Sequence, residues 1–404
     1  MASSSKPFDA DLSVSPRALQ PILVRLRKAN RDNGRLYPGE DHARQPVHTF
    51  YGGAHLFKSD SIGKLGTAAR LALEDYAPDA SSLASIFGLD LDLAAVVRAR
   101  VKDKLAAEAI EDFRIDFEDG YGIRTDAEED GHARSVAQEV AAAYAAKLLP
   151  PFIGIRIKAL SPEMYARSLR TLDLFVTTLA RASRRLPPNF AVTIPKVMTP
   201  AHVTAVAALC AALERRLKLP PNSIALEIMI ETPQSILAAD GSSAPRSLVA
   251  AGRGRVRGAH FGTYDYTALC GITASWQLMR HAACDFARHM MQVALAQSGV
   301  WLSDGATNIM PIPPHRPARG GALSAAERHE NGDVVRRAWK LHFDDTQHSL
   351  VNGFYQGWDL HPAQLPSRFA AVYAFFLAAR PLWKNAYTAA YRVGSCAGCR
   401  SQPW

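Results

Sequence analysis

The sequence predicts a single-domain α/β protein of the (β/α)8 barrel class, and three observations carry that prediction. Eight short β-rich runs follow one another along the 404 residues, separated by amphipathic stretches that open with helix-start signals. The length holds a barrel of about 250 residues with extensions at both ends. Three of the runs finish on acids, which alternating strands and helices bring to one rim, where barrels of this class do their chemistry.

The runs occupy residues 47–53, 113–120, 152–158, 190–197, 224–232, 258–265, 300–305 and 356–362. Asp126-Ala127-Glu128-Glu129 opens a helix running to Leu149, Ser161-Pro162-Glu163 one to Leu186, and Thr199-Pro200 one to Leu217, each with an N-cap oxygen, an early proline or first-turn acids. Three segments break the alternation. Residues 1–45 form an N-terminal extension, helical over 16–30. Residues 77–110 add helical material between the first two units. Residues 306–340 hold the loop Pro311-Ile312-Pro313-Pro314-His315-Arg316-Pro317 and a charged helix, placed where a lid over the active rim is expected. The barrel therefore spans residues 46–366, and a C-terminal helix and tail occupy 367–404.

Composition narrows the class. Hydrophobic residues make up 48% of the chain, enough for a sizeable core, yet no apolar stretch reaches the ~18 residues of a membrane span. The start lacks an apolar signal-peptide core, and Asp9 and Asp11 argue against a transit peptide. A cytoplasmic protein with no membrane partner is expected. Five cysteines, an odd number and mostly isolated, suit a reducing compartment better than a disulfide framework. Cys396-Ala397-Gly398-Cys399 has the gap of a metal or redox pair, but with no second pair a plain tail is expected there. The net charge of +9 is scattered without a dominant run or nucleic-acid motif, so it fits collection of an anionic substrate better than nucleic-acid binding.

The acids are Asp116, Glu118 and Asp119 after the second run, Glu231 after the fifth and Asp265 after the sixth. Carboxylates converging at one rim suit a hard divalent cation, which prefers oxygen ligands. Other readings stand beside this one: Asp265 as a helix cap, Asp116, Glu118 and Asp119 as caps of their loop, and Gly52-Gly53 as a tight turn or as an approach to an anion.

The ordered set Asp116-Phe117-Glu118-Asp119-Gly120, Ile155-Arg156-Ile157-Lys158, Ile194-Pro195-Lys196-Val197, Ile230-Glu231-Thr232-Pro233, Gly262-Thr263-Tyr264-Asp265, Ser303-Asp304-Gly305 and Trp358-Asp359-Leu360-His361-Pro362-Ala363-Gln364 resembles the citrate lyase β-subunit and HpcH/HpaI aldolase superfamily. These are phosphoenolpyruvate/pyruvate-type TIM barrels, and the resemblance covers roughly residues 110–366. It implies that Glu231 and Asp265 hold Mg²⁺ or Mn²⁺. It implies that Arg156 binds the enolate oxygen, a task suited to a planar guanidinium, with an ion pair to Asp116 or Glu118 as the other role open to it. Lys196 is expected to contact substrate or structural carboxylates, and the backbone of Gly262, Thr263 and Tyr264 to receive the substrate carboxylate. Asp116, Glu118 and Asp119 are the candidates for the general base, together with a water. His361 is expected to close the barrel, and Asp304 and Asn308 to face the rim or cap its loop.

Two departures shape the functional expectation. Asp119 stands where the pyruvate-aldolase branch has a histidine. The first strand has no arginine and glycine-proline pattern of the kind that holds a thioester in citrate-lyase-like proteins. The expectation is a homo-oligomeric, metal-dependent carbon–carbon lyase or aldolase acting on a small 2-oxo acid or related carboxylate. A coenzyme A thioester enzyme of the citramalyl-CoA lyase or malate synthase type is the alternative, and a non-catalytic basic barrel binding nucleic acid or protein is the alternative of another class.

Overall fold

The computed structural model describes residues 13–39, 43–317 and 321–393, so the tail with Cys396 and Cys399 lies outside the described residues. Eight parallel strands close on themselves in sequence order. They are β1 (His48–Gly53), β2 (Asp112–Asp116), β3 (Phe152–Arg156), β4 (Phe190–Ile194), β5 (Ala225–Ile230), β6 (Val256–Phe261), β7 (Trp301–Ala306) and β8 (Gln356–Asp359). β1 pairs with β8 to complete the ring. All eight expected strands are present, and the (β/α)8 class holds.

The helices before and within the first two units are α1 (Pro16–Leu36), α2 (Ser61–Tyr76), α3 (Ala80–Phe87), α4 (Leu91–Ala107) and α5 (Asp126–Ala145). Next come α6 (Tyr165–Ser183), α7 (Pro200–Leu217), α8 (Pro233–Ile236), α9 (Ala244–Ala251) and α10 (Thr263–Leu269). The series ends with α11 (Ala282–Leu295), α12 (Ala325–Val351) and α13 (Leu365–Val393). Caps fix many of these starts: Thr125 accepts from the Glu128 amide, and Ser324 and Glu327 form a capping box before α12. Pro200 opens α7 with its fixed φ. Among the described residues no single helix is long and apolar enough to cross a membrane.

Several strands are shorter than expected. Phe117 to Gly120 form a turn because both oxygens of the Asp116 carboxylate take backbone amides from it. β4 stops at Ile194, and the sixth run ends at Phe261, with Thr263, Tyr264 and Asp265 forming the first turn of α10. The 306–340 segment is tied down at its centre, where His315 and Asn331 exchange backbone-to-side-chain hydrogen bonds of 2.9 and 3.0 Å. This holds the loop against α12.

The barrel interior is charged below the carboxyl ends of its strands. Arg114 is fully buried and pairs with Asp112 at 2.6 Å and Glu227 at 2.5 Å, while Thr193 also accepts from it. Asp304, expected either to face the rim or to cap its loop, lies fully buried, paired with Arg288 at 3.0 Å and taking the Ser349 hydroxyl at 2.5 Å. A carboxylate so deeply placed needs such partners, so Asp304 belongs to the packing between β7, α11 and α12. His361 caps the short turn Pro362–Gln364.

Candidate active site

The carboxyl ends of β1, β2, β3, β5, β6, β7 and β8 open into one cavity of about 720 Å³. Register sets its polar side. Asp116 and Arg156 are the last residues of neighbouring strands and are paired across them. The Asp116 carboxylate grips the guanidinium at two points, Nε at 2.7 Å and Nη2 at 2.5 Å, and accepts the Glu118 and Gly120 amides at 2.9 and 2.7 Å. Both oxygens of Asp116 are thereby engaged, which suits it to positioning and leaves it little capacity as a base.

The remaining terminal nitrogen of Arg156, Nη1, lies 3.1 Å from Glu118 Oε2 and 3.3 Å from Asp119 Oδ2. Burial works against the buried Arg156 charge, but Asp116, Glu118 and Asp119 outweigh it and raise its pKa. The ring of Tyr51 lies under the guanidinium at 4.9 Å and packs on Trp358 at 4.9 Å. The Tyr51 hydroxyl is buried without a hydrogen-bond partner.

Lys196 joins acids from three other loops, those after β2, β5 and β6. Its backbone sits in the left-handed region at φ +49°, a conformation that costs energy for a residue with a Cβ. In that pose its amide donates to Glu231 Oε1 at 2.6 Å while its ammonium reaches Glu118 at 2.6 Å, Asp265 at 3.1 Å and Asp119 at 3.3 Å. Its pKa is raised, since Glu231, Glu118 and Asp119 together overcome its burial.

Glu231 is 1% exposed. Burial pushes its carboxyl up to about 8, with Glu118 and Asp265 adding to the rise and Lys196 opposing it. Burial likewise pushes Glu118 up to about 7. Asp119 goes the other way: burial would raise it, but Arg156 and Lys196 hold it below the usual carboxylate range. Gly262 allows Glu231 its place, because a Cβ at residue 262 would fall 2.3 Å from Glu231 Oε2. The Gly262 amide is bonded to Ile230 at 3.1 Å, so of the three residues expected to present amides only Thr263 and Tyr264, at the start of α10, retain them for a ligand. The Tyr264 hydroxyl is committed to the loop after β7, donating to the Ala306 carbonyl at 2.8 Å and accepting the Asn308 amide at 2.9 Å.

The structure thus brings Asp116, Glu118, Asp119, Arg156, Lys196, Glu231 and Asp265 together at one rim. Five carboxylates face two cations there, and burial, with the neighbouring acids adding to it, raises the pKa of two of them, Glu118 and Glu231. That excess of acid, supplied by hard oxygen donors, fits a divalent cation between Glu231 and Asp265. Among the described residues no group of three or more His, Cys, Asp or Glu side chains forms a closed metal cage, so such a site would rest on two carboxylates with water and substrate completing the shell, as Mg²⁺ favours.

Sequence reasoning missed the floor and the far wall. Tyr51, Met229, Ala306 and Trp358 form a small apolar cluster beneath Arg156, and Leu56, Phe57, Ser61, Lys64 and Leu65 line the side reached from β1 and α2. The signal for Tyr51 was strand alternation on β1, which sets it two residues from Thr49, a residue that hydrogen-bonds Asp112 inside the barrel.

Comparison with known proteins places the fold. A family model described as a domain of unknown function (DUF6986) matches residues 26–392. No curated protein matches the sequence. Among solved structures, a citrate lyase from Burkholderia xenovorans LB400 is similar at 17% identity and TM-score 0.53, with 85% of each chain covered. A malate synthase from Haloferax volcanii, solved as a magnesium/glyoxylate complex, is similar at 16% identity and TM-score 0.52 over 81% of this chain and 76% of that one. The likeness to these structures is one of fold, an eight-stranded parallel barrel.

Proposed function

The chain belongs to the DUF6986 family, and from the site it carries we propose that it is a divalent-metal-dependent carbon–carbon lyase of the aldolase kind, acting on a small 2-oxo acid through an enolate. The observation that carries this reading is the geometry of Arg156. Asp116 clamps two of its nitrogens, and Nη1 is left facing the acids and the cavity. A guanidinium held that way is preorganised for an oxygen that becomes negative during reaction.

Mg²⁺ or Mn²⁺, when bound by Glu231 and Asp265, would supply a Lewis acid for the keto and carboxylate oxygens of the substrate. The magnesium and glyoxylate of the Haloferax volcanii complex support a hard cation and a 2-oxo acid in a barrel of this kind. In the cleavage direction, Asp119, which lines the cavity and is held ionised, takes the proton of a 4-hydroxyl. Glu118, on the same turn and pushed up to about 7 by burial, stands behind it to share that proton. The C3–C4 bond breaks, its electron pair passes to the C2 oxygen as the enolate, and an aldehyde leaves. Arg156 Nη1 meets that oxygen. The Thr263 and Tyr264 amides receive the substrate carboxylate.

The test is exchange of the methyl protons of pyruvate with deuterium, followed by NMR with Mg²⁺ present. Exchange that stops when the cation is chelated supports the reading. Absence of exchange, with turnover of glyoxylate or oxaloacetate only in the presence of acetyl-CoA, would overturn it in favour of a thioester condensation. That second reading draws on the cavity volume, which a three-carbon acid leaves largely unfilled.

A further inference from the structure

The cavity has two chemically different ends. Charged groups line the side built from β2, β3, β5 and α10, whereas the side reached from β1 and α2 is apolar. Phe57 and Phe113 are buried there, at 2% and 3% exposure. Leu65 lies beside them, and Leu56 and Leu360 stand at the same cavity with 69% and 40% of their surface exposed. The fold itself gains little from two leucines so exposed. Ser61 and Lys64 are the polar groups on α2 that reach this side, and the Lys64 ammonium is paired with Asp60 at 2.7 Å. A volume of about 720 Å³ lies within the roughly 300–1,000 Å³ that drug-sized ligands occupy. The charged end accommodates the 2-oxo acid head, which leaves the apolar arm for whatever is bonded to it.

We propose that the substrate is a 4-hydroxy-2-oxo acid whose C4 bears an apolar aliphatic or aromatic group, so that the aldehyde it releases is hydrophobic. The proposal rests on the enolate reading above and adds the identity of the leaving half. In cleavage the C4 hydroxyl loses its proton and becomes the aldehyde carbonyl as the C3–C4 bond breaks. The electron pair goes to the pyruvate enolate, which is protonated at C3, so no oxidant or reductant is needed. The apolar group stays in the arm formed by Phe57, Leu65, Phe113 and the two exposed leucines, where each methylene it buries contributes binding.

The experiment runs the reaction in the aldol direction, with pyruvate, Mg²⁺ and a series of straight-chain aldehydes from acetaldehyde to hexanal, plus benzaldehyde. The expected result is a rise in kcat/KM of roughly three- to fourfold per methylene, with benzaldehyde near the top. The variant Leu56→Asp, at a position already exposed, is expected to flatten the series. Calorimetric binding of 2-oxooctanoate against pyruvate reads the arm without turnover, and tighter binding of the longer acid is expected. A flat aldehyde series with equal binding of the two acids would overturn the proposal, as would turnover that requires acetyl-CoA, since a pantetheine chain would then be the occupant of the arm. Chain-length-dependent binding without exchange of pyruvate protons would retain the apolar arm and remove the enolate chemistry instead.

Discussion

Glu231 and Gly262 face each other across β5 and β6 with no space between them: a methyl group on residue 262 would lie 2.3 Å from Glu231 Oε2. The Glu231 side chain cannot retreat, because its other oxygen is tied to the Lys196 amide at 2.6 Å. Gly262→Ala should therefore displace the carboxylate proposed to hold the cation. Mn²⁺ affinity, read by electron paramagnetic resonance, is expected to fall at least ~10-fold, about 1.4 kcal/mol, with the circular dichroism spectrum unchanged. Unaltered Mn²⁺ binding would detach Glu231 from the metal.

Arg156 is held by the two parallel hydrogen bonds it donates to Asp116. Arg156→Lys keeps a positive charge but loses the fork, so turnover is expected to drop by ~10² or more. Steady-state kinetics on a soluble, folded variant checks this. Near-normal turnover would take Arg156 out of the mechanism.

The buried Glu231 also makes stability depend on pH. Burial raises its carboxyl from 4.5 in the unfolded chain to about 8 in the native state. The native state thus retains a proton that the unfolded chain releases, and stability declines as pH rises from about 4.5 through about 8. Glu231→Gln keeps the shape and abolishes the titration. Without divalent metal, the variant is expected to melt higher than wild type by on the order of a few degrees at the alkaline end, and to match it below the unfolded value. A difference in melting temperature that does not vary with pH would assign the effect to another cause.

Arg114 in the barrel interior tests a purely structural claim. Arg114→Met strips Asp112 and Glu227 of their shared partner, and leaving buried carboxylates uncompensated is expected to cost about 3–5 kcal/mol. Denaturant unfolding measures it. A loss below about 1 kcal/mol, comparable to an exposed ion pair, would show that other donors, such as His260 and Arg257 beside Glu227, carry the layer alone.

The strands were readable because parallel strands covered on both faces appear as near-continuous apolar runs, as in Ala225–Ile230. Their ends were overestimated wherever an acid followed. Asp116 stops its strand by capturing amides, and Asp265 belongs to a helical turn that begins at Thr263. The rim acids and Arg156 could be named from motif order, but the left-handed backbone of Lys196 could not, since nothing in the residue type signals a positive φ. Tyr51 and Trp358 were hidden for a different reason. An aromatic residue inside a strand reads as core until the topology shows which layer of the barrel it fills. Asp304 misled because a buried carboxylate and a rim carboxylate look alike until the partner, here Arg288, is seen.

Lys196 has a consequence for the order in which the protein forms. Its amide partner Glu231 lies 35 residues away, and its ammonium partners Glu118 and Asp119 lie 78 and 77 residues away. No segment of two or three strands contains them all. Closing such long loops is entropically unfavourable until the intervening strands are paired, so the rim is assembled only as the barrel itself is completed. The strain at Lys196 is then imposed by an enclosure already built, and hydrogen exchange at its amide should report global unfolding, not the loosening of a surface loop.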